Sequence, residues 1–228
     1  MWAVVVAGGT GSRFGGRKQF ESLAGRPVVE WSVTAARKAT DGVVLVVPAN
    51  DVGRSRSLGA DAVVAGGPSR SASVRLGLAS VPESAEIVVV HDAARPLASP
   101  ALFAAVIAPL LETVAVERRA DKDTRAVADA VVCALPVADT LKRVDAERTT
   151  VAETVDRTSL VAVQTPQAFR AAVLRRAHAT AGDATDDAAL VEAIGGIVRV
   201  VPGEPHNVKL TLPSDLALLE HLVDGGGW

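Results

Sequence analysis

The 228 residues include one cysteine, Cys133, and no tyrosine. A lone cysteine excludes an intrachain disulfide framework. It sits in the apolar run Ala130–Leu135, which suits a small core residue rather than a nucleophile. No apolar run approaches the ~20 residues of a membrane-spanning helix, and no basic leader precedes the first one. No membrane association is therefore expected, and a cytoplasmic location is. The formal net charge is -2, so no global field draws the chain to nucleic acid or an anionic bilayer. No Ser-His-Asp or Cys-His constellation and no internal repeat is evident.

What remains is an ordered globular composition, 49% hydrophobic and 22% charged, long enough to bury a sizeable core. Short β-branched runs alternate with helical patterns, which argues for an α/β fold with a mostly parallel central sheet flanked by helices. Strands are expected at Trp2–Val6, Val43–Val47, Asp61–Val64, Glu86–Val90, Val131–Leu135, Ile197–Val201 and Asn207–Thr211. Helices are expected over Val28–Ala39, up to Leu78, over Pro100–Leu111 with Pro109 weakening the last turn, from Ala168 to about Ala181, and after Thr185 and Pro213. His178 and His221 fall on amphipathic helices and are expected at the surface. Glu117–Arg125, charged at seven of nine positions, reads as a solvated insertion. One domain over 1–228 is expected.

The first strand breaks into Ala7-Gly8-Gly9-Thr10-Gly11-Ser12-Arg13, followed by Arg17-Lys18-Gln19-Phe20. Glycines let a ligand approach the backbone, free N–H groups form an anion-binding concavity, and three basic side chains add charge. This suits a polyphosphate. The P-loop pattern is excluded because Gly16 is not followed by Lys-Ser/Thr. The dinucleotide fingerprint fails because its third glycine is Phe14.

A second polar loop, Gly66-Gly67-Pro68-Ser69-Arg70-Ser71-Ala72-Ser73, opens a helix; it could hold an anion or base edges, or simply cap that helix with serines. The strand ending near Val90 delivers His91-Asp92-Ala93-Ala94-Arg95-Pro96 to its carboxyl end, where ligands gather in open α/β sheets. There Asp92 can hold Mg²⁺, and Arg95 can grip a phosphate. Asp139–Val144 and Thr149–Arg157 alternate at period two around a turn, marking a β-hairpin arm at about 138–158 with little core of its own. Either the arm folds back on its own chain or it packs on a second copy.

Together these strings resemble the 2-C-methyl-D-erythritol 4-phosphate cytidylyltransferases, a family of the sugar- and polyol-phosphate nucleotidyltransferases. The likeness spans Val4 to about Leu219 in five ordered motifs: the glycine loop, Gly66–Ser73, His91–Pro96, Thr165-Pro166-Gln167 and Asn207-Val208-Lys209-Leu210-Thr211. It implies a Rossmann-like nucleotidyltransferase fold, CTP and a polyol phosphate as substrates, Mg²⁺, and a homodimer exchanging the arm. It further implies catalytic Arg13, Lys18, Asp92 and Lys209, with Asp92 on the metal. Ala7, Gly8, Gly9, Gly11, Gly67, Arg70, Ser73 and Ala93 would bind the nucleotide. Arg95, Thr165, Thr185 and, from the partner's arm, Thr140 and Arg157 would bind the acceptor. The chain departs from the family pattern with Arg17 in place of proline, Pro68 in place of a polar residue, His206 in place of aspartate, and a longer charged insertion.

A substrate phosphate is already an anion at neutral pH, so the absence of a general base is consistent with phosphoryl chemistry run by positioning and charge neutralisation. His91 is expected to orient its loop rather than shuttle protons. Ribitol 5-phosphate as the acceptor, or nucleotide binding without turnover, remain as alternatives at this level.

Overall fold

In a computed structural model, residues 1–9, 14–118, 127–180 and 182–225 are described. Strand β1 (Trp2–Val6) runs into the glycine loop, then a 3-10 turn at Lys18–Phe20 and a small hairpin of β2 (Ser22–Leu23) and β3 (Arg26–Pro27). There follow α1 (Val28–Ala39), β4 (Gly42–Val47), α2 (Val52–Ser55), β5 (Ala62–Ala65), α3 (Arg70–Leu78), β6 (Ile87–Asp92) and α4 (Pro100–Arg118). The second half holds β7 (Ala130–Pro136), β8 (Leu141–Val144), β9 (Val151–Val155), β10 (Val161–Arg170), α5 (Ala171–Thr180), α6 (Asp187–Ala193), β11 (Val198–Pro202) and α7 (Pro213–Asp224).

Seven strands form the main sheet in the order β11-β7-β10-β6-β1-β4-β5. β4, β5 and β6 run parallel to β1, β11 runs parallel to β7, and β10 alone opposes its neighbours β6 and β7. The expected α/β architecture is thus present. β4 and β6 are buried along their whole length, as strands covered on both faces must be. Side chains alternate between the two layers. Ala3, Val5, Val43 and Leu45 join Val29 and Val33 of α1 and Phe103 and Leu110 of α4. Val4, Val44 and Val46 face Val74 of α3 and Leu174 of α5 on the other side. On that second side α3 lies unusually close, since a Cβ at Gly77 would come within 2.5 Å of Val4 and 2.8 Å of Val46.

Several expectations are corrected. Pro109 lies inside α4, which continues to Arg118; it removes one N–H, yet Val106, Ile107 and Leu110 keep that stretch packed into the core. The charged segment beyond residue 118 lies outside the described residues. Helix α5 starts at Ala171 rather than Ala168, because Ala168 and Phe169 pair with β6 and β7 as buried strand residues. Gln164–Gln167, which holds the Thr165-Pro166-Gln167 motif, lies within β10 at an irregularity in its pairing with β7. Asn207–Thr211, expected as a strand, joins no sheet among the described residues. It is tied instead to the turns beside it: Asn207 Nδ2 donates to Thr165 O at 2.9 Å and Gln164 Oε1 at 3.2 Å, and Leu210 N donates to Ala94 O at 2.7 Å.

The arm forms its own two-stranded sheet from β8 and β9, almost wholly exposed. Val144, Val151, Leu160, Val161 and Val163 present uncovered apolar side chains along it and along the start of β10.

Candidate active site

Three loops at the carboxyl ends of parallel strands enclose a cavity of about 460 Å³. The first follows β1 and gives Ala7, Gly8 and Gly9. The second follows β5 and gives Gly67, Pro68, Ser69, Arg70 and Ser73. The third follows β6 and gives Asp92, Ala93 and Ala94. Lys18, Gln19 and Lys209 close the rim. The second loop is held from within, Ser69 capping α3 by accepting from Ala72 N at 3.1 Å, and Ser73 Oγ accepting from Gly67 N at 3.1 Å. Gly67 is required there, because a Cβ would meet that of Ala72 at 2.6 Å.

Asp92 is the electrostatic centre. Its Oδ2 accepts from Lys209 Nζ at 2.7 Å and its Oδ1 from Arg70 Nε at 3.2 Å. Burial alone would raise this carboxyl, but Arg70 and Lys209 outweigh it and hold the group well below the ordinary carboxylate range. The Arg70 guanidinium responds in kind: burial disfavours its charge, and Asp92 and Asp187 more than restore it, raising its pKa. Lys18 Nζ donates to Leu210 O at 2.5 Å. Leu210 N in turn donates to Ala94 O, so the glycine loop, the 207–211 segment and the Asp92 turn are tied together.

Beneath Asp92 a buried chain of hydrogen bonds fixes the turn. Asp92 N donates to Thr165 Oγ1 at 3.0 Å, Thr165 Oγ1 lies 3.1 Å from His91 Nδ1, and His91 Nε2 lies 3.1 Å from Arg95 O. A carbonyl only accepts, so Nε2 carries the proton and Nδ1 accepts from the threonine. Burial pushes this imidazole down to about 4, which keeps it neutral.

The sequence-expected residues divide into three groups. Ala7, Gly8, Gly9, Lys18, Gly67, Arg70, Ser73, Asp92, Ala93 and Lys209 all line the one cavity. Arg95, Thr165, Thr185, Thr140 and Arg157 do not. Arg95 is half-buried and donates from Nη1 to Asn207 O at 2.7 Å, and Thr165 lies under Asp92. Thr185 is exposed just before α6, and Thr140 and Arg157 flank the arm, where Arg157 donates to Ala138 O. Arg13 and Gly11 lie outside the described residues.

The whole-chain comparison settles the family. The family model for IspD, 2-C-methyl-D-erythritol 4-phosphate cytidylyltransferase, matches residues 1–224. The chain belongs to the IspD family. A 2-C-methyl-D-erythritol 4-phosphate cytidylyltransferase of Rhodococcus opacus (strain B4) is 46% identical over 231 residues, covering 98% of this chain and 95% of that protein. A bifunctional enzyme IspD/IspF of Anaeromyxobacter dehalogenans (strain 2CP-C) is 45% identical over 240 residues; the match takes in 98% of this chain but only 58% of that longer protein. Among solved structures, the 2-C-methyl-D-erythritol 4-phosphate cytidylyltransferase of Thermus thermophilus superposes with a TM-score of 0.76 at 36% identity, over 97% of this chain and 98% of that one.

Within this IspD chain the departures from the family pattern find local partners. Arg17 pairs with Asp51 Oδ1, an oxygen that also takes Arg54 Nη2 at 2.9 Å, and the Arg54 guanidinium lies 3.6 Å over the Phe20 ring. Residues 17 and 20, on either side of Lys18, are thereby moored to one buried carboxylate. His206 Nε2 sits 3.1 Å from Glu204 Oε2. Sequence reasoning missed Gln19, which lines the cavity with Nε2 3.5 Å from Gly9 O, although it stands next to Lys18 in the motif. It also missed Asp187, which pairs with Arg70 Nη1 at 2.7 Å. His178, expected at the surface, is buried against Asp187.

Proposed function

We propose that this chain transfers CMP from CTP to 2-C-methyl-D-erythritol 4-phosphate, releasing pyrophosphate and forming 4-diphosphocytidyl-2-C-methyl-D-erythritol for isoprenoid precursor synthesis. The observation that carries this is the grouping of Lys18, Arg70 and Lys209 with one depressed carboxylate, Asp92, in a glycine-walled cleft of an IspD chain. A phosphate oxygen of the acceptor attacks the α-phosphorus, and the bond to the bridging oxygen of pyrophosphate breaks. No proton need be removed from that nucleophile. His91, neutral and engaged at both ring nitrogens, is placed to hold the turn and not to relay protons.

Lys18, with Arg13 of the same loop, stabilises charge building on the α-phosphate and leaving pyrophosphate. Ala7, Gly8, Gly9, Gly11, Gly67, Arg70, Ser73 and Ala93 hold the nucleotide, and Lys209 returns positive charge to the active site at the acceptor phosphate. Arg95, Thr165 and Thr185, with Thr140 and Arg157 from a second copy, hold the acceptor. The uncovered valines of the arm supply an apolar surface for such a homodimer. Among the described residues no group of three or more His, Cys, Asp or Glu could cage a metal. A single carboxylate nevertheless suits Mg²⁺, which takes its remaining ligands from substrate phosphates and water. Asp92 would hold it, and when bound it neutralises the CTP phosphates. Among the described residues no helix is long and apolar enough to cross a membrane; under this proposal the chain acts as one domain in the cytoplasm.

The test is pyrophosphate release with Mg²⁺ and CTP, offering methylerythritol 4-phosphate and ribitol 5-phosphate in parallel. Release with the first alone supports the assignment. Preference for the second keeps the chemistry and changes the acceptor, and CTP binding without release from either overturns the enzyme.

A further inference from the structure

Asp187 opens α6 and has no exposed surface. A carboxylate so placed costs stability unless its charge is matched on the spot. Its two oxygens are divided between two partners. Oδ2 accepts from Arg70 Nη1 at 2.7 Å, and Oδ1 lies 2.9 Å from His178 Nε2, which is itself buried on α5. The start of α6 does not depend on this residue. Asp186 is its N-cap, accepting from Ala189 N at 3.0 Å and from Gln167 Nε2 at 2.9 Å. Asp187 is therefore spare as a capping group and committed to Arg70.

Arg70 stands between two acids. The contact to Asp92, which faces the cleft, is 3.2 Å; the contact to Asp187, which does not, is 2.7 Å. When a polyphosphate and its cation draw on Asp92, Arg70 keeps its deeper anchor. Without that anchor the guanidinium would be free to close on Asp92 as a bidentate pair, the tightest arrangement open to it.

With the cleft assigned to CTP as above, we propose that Asp187, braced by His178, is a positioning residue for the nucleotide: it holds the Arg70 guanidinium at the cleft wall and keeps it from collapsing onto Asp92. A merely structural Asp187 would affect melting and the folded fraction and leave substrate constants alone.

The test is Asp187→Asn, which keeps shape and removes charge, assayed well below its melting temperature. The calorimetric Kd and the KM for CTP are expected to rise roughly tenfold, with kcat at saturating CTP and the acceptor KM within about twofold. In an Arg70→Ala background the same change should add nothing, since the partner it positions is gone. If Asp187→Asn does not fold, His178→Ala removes one brace and is expected to raise the CTP Kd by roughly threefold, again only when Arg70 is present. An unchanged Kd in the folded variant, or an equal loss with and without Arg70, overturns the inference while leaving the functional assignment intact. Failure of the wild-type chain to bind CTP would instead sink that assignment and take the inference with it.

Discussion

Thr165 donates its hydroxyl proton to Nδ1 of His91 across 3.1 Å, and this bond holds only while the imidazole is neutral. Folding lowers the pKa of His91 from 6.5 to about 4. As pH falls through 6.5 the unfolded chain takes up a proton that the folded chain refuses until about 4. The stability this group contributes is complete above 6.5, declines between 6.5 and about 4, and falls no further below that. The loss is on the order of 3 kcal/mol. Asp92, held low, keeps its contribution above 3.8 and loses it only in stronger acid, so the two windows separate. Urea denaturation at pH 7, 5.5 and 4.5 should show the decline, and His91→Asn should flatten it.

On the proposed mechanism the charge that Lys18 meets develops in the transition state, so Lys18→Ala should lower kcat by about a hundredfold or more while shifting the acceptor KM only severalfold. Steady-state kinetics decide this, and an unchanged kcat would remove the residue from catalysis.

Asp51 moors Arg17 and Arg54 from a position 1% exposed. Asp51→Asn should destabilise by about 1–3 kcal/mol in urea, since both cations lose a charged acceptor. Arg17→Ala, half-exposed, should cost at most about 1 kcal/mol. Equal losses would mean that Arg17 carries the mooring alone.

If the arm serves a partner's site, Arg157→Ala and Lys18→Ala chains complement one another. Each is inactive alone, and a mixed dimer has one site with both residues intact. Unfolding and refolding an equimolar mixture should restore roughly a quarter of wild-type activity. No recovery would confine the arm to its own chain.

The buried strands and α1 were legible because one period dominates them: β4 is apolar at every position after Gly42, and α1 repeats its face at Val29, Val33 and Ala36. The residues around the cavity were legible as strings, since glycine loops and the His91–Pro96 turn each sit at the end of such a strand. What escaped depends on contacts distant in sequence. Nothing local marks Asp187 as the partner of Arg70, 117 residues earlier. The 207–211 segment alternates like a strand, yet its hydrogen bonds go to Gln164, Thr165 and Ala94 instead of a neighbouring strand. Pro109 carries a local penalty that the core contacts of Val106 and Leu110 override.

Gly77 sits two turns along α3 from Arg70, with Val4 and Val46 filling the space a methyl group would need. The helix therefore rests on the sheet with no spacer between them. Adding one carbon there would act like a shim under one end of a lever, lifting the helix and tilting its far end away from Asp92 and Asp187. The reach of the arginine is thus gauged by the absence of a side chain on a residue that never meets the ligand.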